Sequence, residues 1–344
     1  MLVAELIAPR EFHLSHQEIP PPAAGEVQVR VDAVGVCGSD LHSYSEGSVG
    51  DTPCQYPMVL GHEPAGTVLA VGSGVTGWSP GDRAAFEPAI YCYHCEFCRT
   101  GRHNVCANVQ FLSTPGLPGF FREFVNLPTH NLLRIPPNLS LELATVVEPL
   151  AVALHSMNFA AVQQGESVAV FGAGPIGLLT IACLKAAGAG RIWAVEPVAH
   201  RRELARHMGA DIALDADAGD AAAQIQTDTD RRGVDCAIDC AATGDTINQA
   251  IRACRNAGRV VLTGIHSAAM VEFEVSPMRR KELAIFNVRR SNHESEAALE
   301  MLVNRTELFA PLVTHTRPLD RIAEAFDLTE RRADGVGKMV IGGR

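Results

Sequence analysis

From Ser167 onward the apolar residues come in short unbroken runs separated by amphipathic stretches. SVAVFG, RIWAVE, VDCAIDCAA, RVVLTGI and LAIFNVR read as strands buried on both faces. Between them, GPIGLLTIACLKAAGA, AHRRELARHMGA and DTINQAIRACRNAG read as helices. Strand and helix in turn predict an α/β unit, a parallel sheet covered on both sides. The first half has another texture. EVQVRVDAVGVCG, PAGTVLAVGSGV and GDRAAFEP are short β segments broken by Gly and Pro, which predicts a compact β-rich unit. LELATVVEPLAVALHSMNFA is an apolar helical run that crosses between the two. After about Arg290 a helix, SEAALEMLVNRTEL, leads through LVTHTRPLDRIAEAFDL to a closing strand, GKMVI. No internal repeat or low-complexity tract interrupts this plan.

A chain of 344 residues is long enough for two domains with separate cores. Its net charge of −10 argues against a nucleic-acid or anionic-membrane partner, since phosphate surfaces reward clustered Lys and Arg. MLVAELIAPREFHL has no basic n-region and too short an apolar stretch for a signal peptide. No window is expected to reach the length of a membrane span. Ten cysteines without an export signal then predict a reducing, cytoplasmic setting. Cys54, Cys183, Cys236, Cys240 and Cys254 show no ligand spacing and read as buried small hydrophobes.

The other cysteines carry chemistry. Cys92, Cys95, Cys98 and Cys106 form C-x2-C-x2-C-x7-C, a spacing that lets four thiolates wrap one tetrahedral ion. A disulfide framework suits small secreted domains, and iron–sulfur motifs have a different rhythm. A closed zinc site is the reading. Gly172, Gly174 and Gly177 spell G-x-G-x-x-G after a predicted strand and at a helix start, with Pro175 and Ile176 inside the turn. Such glycines let a pyrophosphate approach the backbone at the helix N-terminus. Glu196, 22 residues beyond Gly174, stands where a carboxylate accepts the ribose hydroxyls of NAD and repels the extra phosphate of NADP. Arg201 could cover the adenine; Arg201 with Arg202 is the feature that could admit NADP.

Cys37-Gly38-Ser39-Asp40-Leu41-His42 and Gly61-His62-Glu63 supply Cys, His and carboxylate, the makings of an open zinc site. GVCGSDLH, GHEPAGTV, the cysteine ladder, EPLAVALHS and GAGPIG together resemble zinc-dependent medium-chain dehydrogenases, over essentially the whole chain. The sorbitol (polyol) dehydrogenase branch is most similar, because Glu148 in EPLAVALHS stands where classical alcohol dehydrogenases usually place a zinc-binding Cys.

The resemblance implies a GroES-like catalytic domain from residues 1–150 and 291–344 enclosing a Rossmann NAD-binding domain over 151–290. It implies two zinc ions per subunit. The catalytic one would be held by Cys37, His62 and Glu63 with Glu148 exchanging or acting through water; the structural one by the cysteine ladder. Asp40 would orient His62, and Ser39 and His42 would relay a proton to solvent. Thr263, Ile265 and Val288 would join the cofactor contacts. Zinc would acidify a substrate hydroxyl, and hydride would pass from carbon to the nicotinamide. Phe111 falls where polyol enzymes carry an aromatic, and Arg289 matches an Arg they present to substrate. Arg290 and Ser43 replace tyrosines at substrate positions. Threonine and butanediol dehydrogenases are near relatives. The rivals from other classes are an inactive NAD-binding module and a zinc-ribbon nucleic-acid binder. A dimer or tetramer is expected from the family alone.

Overall fold

The short strands of the first half meet the last two strands of the chain in one seven-stranded sheet. The computed structural model describes residues 1–342, and the chain divides into two compact units. Met1–Glu148 joins the segment from Ser295 onward, and Pro149–Glu294 forms the other. The divisions lie a few residues from the 150 and 290 expected from sequence. The reason is local: Glu294 accepts from His155 Nδ1 and Asn158 Nδ2, both at 2.9 Å, so its backbone stays with the central unit.

In the first unit the sheet runs Leu132–Arg134, Arg83–Phe86, Glu63–Val71, Glu26–Gly35, Lys338–Gly342, Val313–Arg317, with Phe124–Pro128 also paired to Glu26–Gly35. Val27 and Val29 point into the core while Gln28 and Arg30 keep some exposure, the alternation of a half-buried strand. Register shifts at Gln28/Val29 and Val31/Ala33 break that alternation, so Ala33, Val34 and Gly35 are all buried. Such bulges bend a strand and re-aim the residues beyond it. Phe120, Phe121 and Phe326 fill the core beside Leu60 and Val68.

The second unit is a six-stranded parallel sheet in the order Ile212–Leu214, Ile192–Val195, Val168–Phe171, Val234–Asp239, Cys254–Leu262, Ala284–Asn287. That is the doubly wound Rossmann order, whose switch point lies beside Val168–Phe171. This strand is buried at every position, as its unbroken apolar run requires. One helix ends earlier than its sequence suggests. Thr246–Ala253 is helical, and Cys254 already belongs to the next strand, paired with Val234. Burial of Cys254 against the sheet outweighs the helical pattern of CRNAG.

Leu141–Ala160 is long and apolar enough to cross a membrane, contrary to expectation, but 67% of its apolar window is buried within the protein. Cys183, Cys236 and Cys254 are buried as expected; Cys54 and Cys240 keep partial exposure.

The helix Pro175–Ala186 lies close on its strand because Gly177 has no side chain. A Cβ there would sit 1.9 Å from the Gly172 carbonyl oxygen. Gly177→Ala is expected to force the helix outward, lowering stability by about 1–3 kcal/mol. Thermal denaturation checks the loss, and cofactor titration should show weaker binding in the same variant.

Candidate active site

Cys37, His62 and Glu63 place one ligand atom each within 4.8 Å of the others. Cys37 precedes the helix Gly38–Glu46, where its N–H donates to Asp40 Oδ2 at 3.0 Å. Glu63 opens a strand, paired with Gly35, so His62 and Glu63 arrive on the rim of the sheet. His62 Nδ1 faces Asp40 Oδ1 at 3.4 Å, which leaves Nε2 as the ring atom for the cluster. Burial disfavours a charged His62, yet Asp40 and then Cys37 more than offset it and hold the imidazole pKa well above its ordinary value. Asp40 is buried too, but His62 and the N–H groups of Cys37 and Gly61 draw its pKa down.

Glu63 is buried against Lys338, which is equally inaccessible, and the two form an ion pair. Neither carboxylate oxygen completes a hydrogen bond of good geometry. The space for this pair comes from Gly35: a Cβ there would lie 2.1 Å from Glu63 Oε2 and 2.9 Å from Lys338 Cε. Thiol, imidazole and an under-satisfied buried carboxylate are a donor set that suits zinc. Glu148, at the start of the helix Val147–Ala160, does not share the 4.8 Å grouping of the other three. It keeps some accessible surface, but crowding by protein pushes its carboxyl up to about 7; His62 and Lys338 lower it, while Glu63 and Glu87 raise it further.

Cys92, Cys95, Cys98 and Cys106 form the second cluster. Three of its sulfur–sulfur separations are 4.0, 3.9 and 3.4 Å. A tetrahedron of sulfurs about 2.3 Å from zinc has edges of about 3.8 Å. The fit is close. Backbone N–H groups of Cys95, Cys98 and Asn108 point at the sulfurs. N–H groups of His94 and Cys95 help draw Cys92 down to about 5, whereas burial and neighbouring thiols push Cys98 up to about 12. Four thiolates therefore need a cation to coexist.

In the other unit, Gly172 adopts φ +91°, a conformation that side chains resist, and Gly174 caps the helix that Pro175 begins. Glu196 is buried: Oε2 accepts the Ala173 N–H at 2.8 Å and Oε1 the Val198 N–H at 3.1 Å. It thus fastens the glycine turn and keeps lone pairs for a ribose. Arg201 reaches the same turn, its Nη1 lying 4.0 Å from a Cβ built on Gly174. Ile176 sits in the first helical turn. Thr263 is buried with its hydroxyl 3.0 Å from Ser156 Oγ, Ile265 is exposed, and Val288 N donates to the Leu262 carbonyl at 2.9 Å. Loop glycines and buried acid fit a dinucleotide.

Other expected residues are less tightly assembled. His42 Nδ1 lies 3.0 Å from Glu46 Oε1 on its own helix, and no hydrogen bond joins it to Ser39 among the described residues. Ser43 is buried in the same helix. Phe111 packs on His62, ring centroids 5.5 Å apart. Arg289 is exposed, and Arg290 holds φ +54°. The sequence reading missed Lys338 and Glu87. Glu87 accepts from Ser295 Oγ at 2.6 Å. A charged residue inside the apolar closing strand was the available signal for Lys338.

Comparison with known proteins identifies the family. Residues 23–137 match the alcohol dehydrogenase GroES-like domain and residues 175–304 the zinc-binding dehydrogenase domain. The chain is 35% identical to the sorbitol dehydrogenase of Bacillus subtilis (strain 168) over 92% of its own length and 90% of that protein's. It is 32% identical to the L-idonate 5-dehydrogenase of Vitis vinifera, over 98% and 94%. The structure of 2R,3R-butanediol dehydrogenase from Bacillus subtilis superposes with a TM-score of 0.87 at 31% identity, covering 100% of this chain and 99% of that one. The chain belongs to the zinc-dependent medium-chain dehydrogenases. Within them it is an NAD-dependent, zinc-containing alcohol dehydrogenase of the sorbitol dehydrogenase-like branch.

Two outcomes are expected. Lys338→Met strands a buried carboxylate, which typically costs about 3–5 kcal/mol. In urea melts the loss should be large with chelator present and smaller with zinc, which replaces the missing positive charge; equal losses would contradict the pairing. Glu148 holds its proton more tightly folded than unfolded, so metal-free protein should lose stability as pH climbs from about 4.5 through about 7. Glu148→Gln should flatten that decline in melts of chelator-treated protein between pH 5 and 8.

Proposed function

We propose that the protein oxidises a secondary alcohol, a polyol or sugar-derived alcohol in the manner of sorbitol or L-iditol 2-dehydrogenases, with NAD as acceptor. The observation that carries this reading is the cluster of half-buried Cys37 with buried His62 and Glu63, whose carboxylate lacks full satisfaction, in a chain that also holds an NAD-type glycine turn. Bound zinc supplies the electrophile that acidifies a hydroxyl, and NAD takes up the hydride. The chain's residues do the rest. Asp40 fixes the tautomer of His62 so that Nε2 serves the metal. Lys338 offsets the charge of Glu63 at the rear of the cluster. Glu148, poised near neutrality, can hold or release a proton beside them. Ser39 and His42 carry the proton outward, Oγ first and imidazole second; this order rests on the family resemblance.

A second zinc per subunit, in the four-cysteine cluster, braces its lobe and leaves no position for substrate. A cytoplasmic homodimer or homotetramer that engages neither nucleic acid nor membrane completes the reading. The substrate itself is the open choice among relatives. Ser43 and Arg290 stand where polyol enzymes carry tyrosine, so their hydroxyl contacts are lost. L-Threonine 3-dehydrogenase and 2,3-butanediol dehydrogenase activities are the alternatives.

A panel of polyols, diols, sugar acids and L-threonine, followed by NADH absorbance, tests this. Turnover of polyols or sugar acids is expected; turnover of threonine alone would reject the polyol reading. Cys37→Ser should abolish turnover and leave a folded protein with about one zinc per chain, counted by metal analysis. Wild-type activity in that variant would reject the site.

A further inference from the structure

The loop Phe111–Thr114 grips the His62–Asp40 pair from two directions. Phe111 lies on the imidazole, tilted by 55°. Two residues on, Ser113 Oγ donates to Asp40 Oδ1 at 3.4 Å. That oxygen also faces His62 Nδ1 at 3.4 Å and accepts the Gly61 N–H at 3.1 Å, while Oδ2 takes the Cys37 N–H at 3.0 Å. A carboxylate has about four lone-pair sites. Asp40, 2% exposed, has four polar neighbours, three at Oδ1 and one at Oδ2.

Ser113 holds φ +87°, a region that residues with a Cβ resist. The turn fixes it there: Ser113 N donates to Leu117 O and Leu117 N to Thr114 O, both at 2.9 Å, and Thr114 Oγ1 donates to Phe111 O at 2.7 Å. Glycine would meet the needs of the turn with less strain. What serine adds is a hydroxyl, and the hydroxyl reaches Asp40. Strain retained at a functional site is a mark of a role.

We propose that Ser113 is a positioning residue for the metal site: its hydroxyl fixes the Asp40 carboxylate, which in turn aims His62. This rests on reading Cys37, His62 and Glu63 as metal ligands. Without the hydroxyl, Oδ1 loses a donor and the carboxylate gains freedom to turn away from the ring. Partners of a metal-binding histidine are commonly worth about 10–100-fold in metal affinity. Ser113 stands one contact further out, so about 3–10-fold is expected.

The test pairs Ser113→Ala, which keeps the Cβ and its strain, with Ser113→Gly, which removes both Cβ and hydroxyl. Zinc affinity is measured by chelator competition, with Cys37→Ser identifying the signal of the open site. Visible spectra of cobalt-substituted protein report the ligand geometry. Both variants should bind zinc more weakly at the open site and shift the cobalt bands, although the glycine variant should melt a few degrees higher than the alanine variant. Wild-type affinity and spectra in both would overturn the proposal. So would a loss confined to the glycine variant, which would assign the effect to loop rigidity. Absence of zinc binding at the open site of the wild type would instead reject the underlying metal-site reading.

Discussion

A lysine ammonium buried against a glutamate carboxylate is the interaction on which the candidate site depends. Lys338 and Glu63 are each 1% exposed. An uncompensated charge at such depth is costly, so each residue stabilises the burial of the other. Their strands both flank Glu26–Gly35, and Gly35 leaves the volume in which the side chains meet. Two residues later the same segment presents Cys37. One strand thus makes room for the charge pair and delivers the thiol. The unit is built from both ends of the chain, and the cation that accompanies Glu63 comes from the C-terminal segment.

The two cysteine-bearing clusters solve opposite problems. The ladder gathers four thiols with unequal affinities for their protons, a donor set that would close around a single tetrahedral ion. The cluster of Cys37, His62 and Glu63 contains fewer donors, and its carboxylate is already shared with Lys338. A second carboxylate, Glu148, feels the charges of His62, Glu63 and Lys338 without belonging to the ligand group.

Much of this was legible in the sequence because its signals are local. The ladder spans 15 residues, Cys92 to Cys106, and its spacing alone states its geometry. The glycine turn is equally compact, and the alternation of apolar runs dictates the parallel sheet. Legibility fails where partners are remote. Nothing near Glu63 announces Lys338, and Ser113 reads as an ordinary loop serine until folding brings it to Asp40. Thr246–Ala253 shows the same limit at the level of elements: burial in the sheet, not local pattern, decides where that helix stops. Leu141–Ala160 is a further case, membrane-like in composition and a core element in fact.

The separation of Lys338 from Glu63, 275 residues from 63 to 338, also bears on how the chain is born. Synthesis proceeds from the N-terminus at about 5–20 residues per second. For tens of seconds, Glu63 is present without its counter-charge, while the whole of the compact unit Pro149–Glu294 emerges. The nascent first unit must wait with an open sheet edge at Glu26–Gly35. The Glu63–Lys338 pair can close only once the last strand has been made. A chain lacking that strand would carry both an unpaired sheet edge and an unmatched carboxylate.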